Sequence, residues 1–291
     1  MTEPIFDVVV VGSANLDLVA NLDHLPTPGE TLIALGYAEY PGGKGVNQAV
    51  ACARMGAKTA FVGCVGNDDA GTLLRSVLEG EGIDTSHLRT VSVPTGRAFI
   101  NVDSRGENEI VVVAGANAQV GVEDKFVIPH SRVVLAQLEV PLETIEMAFT
   151  QARSYGAVTV LNPAPARDIP ASLLSLANIV VPNETESVAS GGTKQLLQSG
   201  VATVVTTLGA DGASIDTGTS NTHIAPYKVT PVDTVGAGDA FIGATCAELS
   251  RGASIEDAAR MGAIAGALAT TVKGAVPSLP TRLAVLAAQK S

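Results

Sequence analysis

The residues from Asp233 to Phe241 read DTVGAGDAF. Gly236 and Gly238 flank Ala237, just ahead of a helical run that Asp239 is expected to open. Glycine lets successive backbone amides turn toward one ligand, and a helix N-terminus offers unpaired N–H groups and a partial positive charge. Such a turn can cradle the negative charge of a phosphoryl group in transfer. A carboxylate at the same place can accept a hydrogen bond from an attacking hydroxyl and take its proton late, as general base. The plainer reading is a flexible turn closed by an N-cap aspartate.

A second glycine cluster surrounds a lysine: Gly42, Gly43, Lys44 and Gly45, followed by Val46 and Asn47. It allows close backbone approach, and Lys44 and Asn47 offer donors to hydroxyls. The alternative is a glycine-rich loop with a solvated lysine. Asn15 and Asp17 lie just beyond the carboxyl end of the first expected strand, where open α/β sheets bind ligands. They suit paired hydrogen bonds to sugar hydroxyls, or an Asx turn. Asn183 and Glu186 have capping-box spacing. The same carboxylate could also stand near Mg²⁺-bound phosphates through water, since Mg²⁺ keeps several waters. The run from Thr207 to Gly212 ends a strand and turns. It could hold a nucleotide or only close a hairpin.

Other chemistries are excluded. Lys44 is followed by glycine, so no P-loop exists, and Gly12-Ser13-Ala14-Asn15 is not a dinucleotide-binding fingerprint. His24, His87, His130 and His223 have no ligand spacing and no nucleophile-elbow partner, and read as surface or loop residues. The chain has 291 residues and a formal net charge of −11, with 3% aromatics. It lacks the cationic footprint and stacking platforms of a nucleic-acid binder, and it suits an anionic membrane surface poorly. No apolar run approaches the ~18 residues of a membrane span. Glu3 and Asp7 argue against a signal peptide. The odd number of cysteines, Cys52, Cys64 and Cys246, suggests buried thiols in a reducing cytoplasm.

Positioning these groups requires a frame. The run from Phe6 to Val11 predicts a strand buried on both faces. Further strands are expected at 59–65, 133–138, 158–161, 179–181, 201–207 and 213–216. Helices are expected at 47–55, 70–78, 142–155, 239–249 and 254–271. This alternation predicts an α/β fold, a mostly parallel sheet with helices on both faces. Two segments break the rhythm. Leu18 to Tyr40 contains Pro26, Pro28 and Gly29, and Thr95 to Val113 alternates around Ser104-Arg105-Gly106 as a hairpin. Both read as antiparallel strands outside the main sheet, able to form one small β-layer.

These motifs, in this order, resemble the ribokinase-like (PfkB) family of carbohydrate kinases. Gly42 to Asn47 and Asp233 to Phe241 carry the resemblance, together with 26–30 (PTPGE), 137–139 (QLE), 161–166 (LNPAPA) and 182–186 (PNETE). It covers essentially the whole chain. It implies one three-layer α/β/α domain over 1–291, with a small β-sheet lid from about 17–41 and 95–114 that pairs with a second lid in a homodimer. It implies transfer of the ATP γ-phosphoryl group to the 5-hydroxyl of D-ribose, with Asp239 as base and the amides of Gly236, Ala237 and Gly238 as anion hole. Asn15, Asp17, Gly43, Lys44, Asn47 and Glu139 would hold the sugar. Asn183, Thr207, Gly209, Asp211, Gly212 and Gly238 would line the nucleotide site, with Glu186 near Mg²⁺, reached through water. A monovalent cation, usually potassium, would lie among Asp233, Val235, Ala269, Val272, Gly274 and Ser278, bound mostly through carbonyls. Ala263 stands where some members place a polar side chain against adenine. Within the resemblance, a sister kinase for another sugar or a nucleoside, and a catalytically silent sugar- or nucleotide-binding homologue, are the alternatives.

Overall fold

Strand β1 (Phe6–Val11) contains four consecutive valines, Val8 to Val11, all fully buried. Val8 and Val10 pack with Val46, Ala49 and Ala244, whereas Val9 and Val11 pack with Ile145, Ala148 and Phe149. Successive side chains of a strand point to opposite faces, so such a strand needs cover on both. The computed structural model, which describes residues 5–122 and 125–290, supplies that cover. Glu3 lies outside the described residues.

Strands β4 (Thr59–Gly66) and β5 (Leu88–Val91) extend the sheet to one side of β1. On the other side lie β8 (Ser131–Gln137), β9 (Val158–Asn162), β10 (Ile179–Val180) and β11 (Thr203–Thr207). All of these pairings are parallel. The edge formed by β12 (Ala213–Asp216) and β13 (Asn221–Ile224) is antiparallel. Helices α1 (Lys44–Arg54), α2 (Asp69–Gly80), α7 (Ala237–Ser250), α8 (Ile255–Ala269) and α10 (Arg282–Gln289) contribute to one core layer. Helices α3 (Leu142–Ser154), α4 (Ala171–Leu176) and α6 (Gly192–Gln198) contribute to the other. The two short helices α5 (Glu184–Ala189) and α9 (Ala275–Ser278) sit near the ends of β10 and α8. The result is a three-layer α/β/α fold. The chain runs from β1 outward to β4 and β5, then returns to β8 on the opposite flank. That reversal of strand order opens a crevice beyond the carboxyl ends of β1 and β8.

A separate four-stranded sheet has the order β3 (Gly36–Gly42), β2 (Asn15–Asn21), β6 (Gly96–Val102), β7 (Asn108–Val113). The β6–β7 hairpin is antiparallel, as its alternation predicts. The two excursions, however, meet through a parallel pairing of β2 with β6. Parallel pairing is possible because β4, α2 and β5 intervene and return the chain in the same direction. All six residues of β7 are exposed, among them Ile110, Val111, Val112 and Val113.

Several boundaries differ from expectation. Helix α1 starts at Lys44 rather than Asn47, and α7 at Ala237 rather than Asp239. Both helices start directly after a glycine with positive φ, Gly43 at 89° and Gly236 at 81°, so the sharp turn into the helix is completed earlier than the apolar pattern suggests. Strand β11 starts at Thr203 rather than Val201. Strand β5, β13 and helices α4, α6, α9 and α10 are too short or too polar to carry a periodic signal. The three cysteines are buried thiols. Burial pushes Cys52 up to about 12 and Cys246 well above its ordinary value, so both are poor nucleophiles.

Candidate active site

The crevice at the strand reversal is floored by residues from the ends of three parallel strands. Gly12 and Ser13 follow β1, Gln137 ends β8 with Glu139 just beyond it, and Asn162 ends β9. The glycine cluster lies across them. The Ser13 hydroxyl donates to Glu139 Oε2 at 2.5 Å and accepts the Gly45 amide at 3.2 Å, while the Lys44 amide reaches the same Oε2 at 3.1 Å. At Gly43 a Cβ would stand 2.8 Å from the Asn15 amide nitrogen, so only glycine permits this approach.

Asp239 is 9% exposed, in the first turn of α7. Its Oδ2 accepts from Asn47 Nδ2 at 3.0 Å and its Oδ1 from Gln48 Nε2 at 2.9 Å. Asn47 Oδ1 is buried and has no partner among the described residues. Asn15 Oδ1 accepts from Asn117 Nδ2 at 2.7 Å, which leaves the Asn15 amide group as a donor. Burial, with Glu139 and Asp239 nearby, holds the Asp17 carboxyl up at about 7. Burial opposes the charge of Lys44, but Asp239, Glu139 and Glu186 outweigh it and raise its pKa. Asn15, Asp17, Lys44, Asn47, Glu139 and Asp239 are therefore one cluster. A cluster with three carboxylates, one half-buried cation and an orphaned acceptor is built for a ligand that supplies several hydroxyl donors.

The first turn of α7 faces a second space. A cleft of about 470 Å³ is bordered by Ala237 and Gly238 of that turn, by Thr207, Gly209 and Gly212 after β11, and by Ala263 and Ala267 of α8. Tyr227 and Phe241 add aromatic surface, and of the two only Phe241 lies in a sequence motif. Their signal was weak, because 225–231 carries no periodic pattern and Phe241 reads equally as core. The run from Thr207 to Gly212 closes the β11–β12 hairpin, and its Thr207, Gly209, Ala210 and Gly212 border the cleft. Asp211 is exposed, and its carbonyl accepts from Nε2 of His223, so that histidine braces the turn. Asn183 pairs with Thr207 and forms a full capping box with Glu186. Both Glu186 oxygens are engaged by Asn183.

The loop before α7 is tied to the end of α8. Asp233 Oδ1 accepts the Val235 amide at 3.0 Å and Oδ2 the Gly274 amide at 2.8 Å. The Asp233 amide donates to Thr270 O at 3.0 Å, and the Val272 amide to Ala269 O at 3.3 Å. A Cβ at Gly236 would meet Ala275 Cα at 3.0 Å and Ser278 Oγ at 3.4 Å. Asp233, Val235, Ala269, Val272, Gly274 and Ser278 thus gather behind the α7 N-terminus. Among the described residues, no group of three or more His, Cys, Asp or Glu side chains could hold a metal. Also among the described residues, no helix is long and apolar enough to cross a membrane.

A family model described as pfkB family carbohydrate kinase matches residues 6–282. The ribokinase of Haemophilus influenzae is 40% identical over 292 aligned residues, covering 94% of this chain and 95% of that protein. The crystal structure of a ribokinase from Thermotoga maritima superposes with a TM-score of 0.90 at 36% identity, covering 98% of this chain and 99% of the other. A ribokinase of Arabidopsis thaliana, solved with ribose and ATP, gives a TM-score of 0.88 at 32% identity over the full length of both chains.

Proposed function

We propose that this chain, which belongs to the pfkB family of carbohydrate kinases, transfers the γ-phosphoryl group of ATP to the 5-hydroxyl of D-ribose. The observation that carries the reading is the first turn of α7. Its Ala237 and Gly238 border the apolar cleft, and its Asp239 faces the hydroxyl-seeking cluster. A phosphoryl group passing from one space to the other must cross that turn.

Asn15, Asp17, Gly43, Lys44, Asn47 and Glu139 hold the sugar. Asn47 Oδ1 takes a sugar hydroxyl and so loses its orphan status. Asp239 orients the 5-hydroxyl and accepts its proton as the new P–O bond forms. The hydroxyl oxygen attacks phosphorus, the bond to the β-phosphate oxygen breaks, and ADP leaves. The amides of Gly236, Ala237 and Gly238 receive the charge spread over the transferring group. Thr207, Gly209, Asp211 and Gly212 bound the nucleotide site, with Asn183 beside them. Mg²⁺ bound to ATP would supply charge neutralisation at the phosphates. Glu186, whose oxygens are already engaged, suits contact with its waters rather than direct ligation. The oxygen-rich loop around Asp233, Val235, Ala269, Val272, Gly274 and Ser278 suits a monovalent cation such as potassium, which would stiffen the turn without touching substrate.

The small sheet, 15–42 with 96–113, acts as a lid over the sugar. Its exposed apolar strand β7 fits a second copy of the chain, giving a homodimer through the lids. The cell compartment proposed is the cytoplasm, which suits the buried thiols. The test is ADP release with Mg·ATP and D-ribose, with and without potassium, against a panel of sugars and nucleosides. Ribose-selective, potassium-stimulated turnover is expected. Faster turnover on another acceptor would overturn the substrate. Ligand binding with no product on any acceptor would overturn the kinase reading of the site.

A further inference from the structure

Behind Asp239 lies a chain of buried amides that the motif reading did not assign. Gln48 is fully buried and sits on α1, next to Asn47. Its Nε2 donates both to Asp239 Oδ1 at 2.9 Å and to Asn162 Oδ1 at 3.0 Å. Its Oε1 accepts from Nε2 of Gln137 at 2.7 Å. Asn162 Nδ2 in turn donates to the carbonyl of Val181 at 3.0 Å.

The two ends leave this chain one orientation. A backbone carbonyl only accepts, so the Asn162 NH₂ must face Val181 and its oxygen must face Gln48. A carboxylate only accepts when ionised, so the Gln48 NH₂ must face Asp239 and its oxygen must face Gln137. Gln137 Oε1 is then left buried with no partner among the described residues. A network selected for stability alone would not end on an orphaned acceptor, which costs free energy. Here the satisfied member is the carboxylate, and the cost falls on Gln137, two hydrogen bonds away from it.

We infer that Gln48 is a positioning residue that sets the plane of the Asp239 carboxylate, oriented in turn by Asn162 and Gln137. The inference rests on Asp239 as the base. Asn47 and Gln48 take one lone-pair direction on each oxygen, from adjacent positions on one helix turn. What remains of the carboxylate faces the sugar cluster, at an angle that rotation cannot change without breaking a buried bond. Gln48 touches neither substrate.

Gln48→Met keeps the side-chain length and removes both donors. The expected result is a kcat lower by about 10–100-fold, the range for a reacting group displaced by up to an ångström. Sugar affinity, read by calorimetry, should stay within about threefold, because Asn15 and Asp17 are untouched. Gln48→Glu is the readout that a packing role would not move. At high pH two adjacent carboxylates repel, and at lower pH they share a proton and Glu at position 48 can again donate. Its kcat relative to the parent chain should therefore rise as pH falls. Asp239→Asn separates the two claims. If Asp239→Asn retains turnover, the base reading fails. If Asp239→Asn loses turnover while Gln48→Met stays within about twofold of the parent, only the positioning role fails. A Gln48→Glu ratio that is flat with pH, with kcat and sugar affinity falling together, also overturns it. Should Gln48→Met not fold, the Gln48→Glu profile decides.

Discussion

The two spaces on either side of the α7 turn, acceptor side and donor side on the proposed reading, are built differently. On the acceptor side, Ser13, Lys44, Gly45 and Glu139 bind one another, and Asp239 is held from two directions by Asn47 and Gln48. On the donor side, the cleft is bordered by glycine and alanine, by aromatic edges, and by backbone. Precision is needed where one hydroxyl must be chosen among several and aimed. A pre-bonded cluster supplies it, because no member can move without breaking its neighbour's bond. The nucleotide needs less: a slot of the right thickness, with amides at the end that receives the charge. Substitutions on the acceptor side should therefore change turnover and selectivity, and those on the donor side mainly nucleotide affinity.

Asp239→Asn is the largest break. It should lower kcat by about 10²–10⁴-fold, with sugar affinity broadly kept. Single-turnover kinetics with separate binding titrations would read this. Next is Asp17→Asn, expected to lower kcat/KM for the sugar by about 10–100-fold, through loss of hydrogen bonds to a charged acceptor. Burial and the neighbouring carboxylates hold Asp17 up at about 7 in the folded chain. The stability contributed by its protonated form is complete below the ordinary carboxylate pKa and is lost as pH rises through 7. The parent chain should thus show a sugar KM that falls as pH rises through neutrality, and the variant a flat profile. The ligand-free variant should also melt higher than the parent at about pH 8, but not in acid. A lower melting temperature at that pH would refute the burial penalty.

Across the α7 turn the effects shrink and change kind. Ala267→Leu fills part of the cleft and should raise the KM for ATP about tenfold, leaving sugar binding alone. A comparable loss of sugar affinity would show that the two sides are not separable. Smallest is Ala263→Gln, which adds a polar group beside the base. It should shift the ATP-to-GTP preference by only about threefold, the worth of one partly solvated hydrogen bond.

The sequence disclosed the parts of the site that are local. Gly236 to Asp239 and Gly42 to Asn47 are each a turn, a helix start and a functional group within a few residues. Gln48, Asn162 and Gln137 were opaque for the opposite reason. They come from three elements, and a lone Gln or Asn within an apolar run has no spacing to betray its partner. The parallel sheet was legible because Val8 to Val11 is an unbroken apolar run. The parallel pairing of β2 with β6 was not, since each strand alone alternates like half of a hairpin. Helix starts were displaced by two or three residues because Gly43 and Gly236 turn the backbone before the apolar pattern begins.

That parallel pairing couples two events. Asn15 and Asp17 lie on β2, and β2 is an interior strand of the small sheet, bonded to β3 on one side and β6 on the other. On the proposed reading, the residues that hold the sugar and the sheet that covers it are one length of backbone, like the jaw and handle of a pair of pliers. On that reading, a small sheet that swung away would carry Asn15 and Asp17 with it, and the sugar would be held only under a closed cover. Stiffening the distant edge at β7 should therefore slow sugar dissociation without altering a single contact to the sugar, an effect stopped-flow release would register.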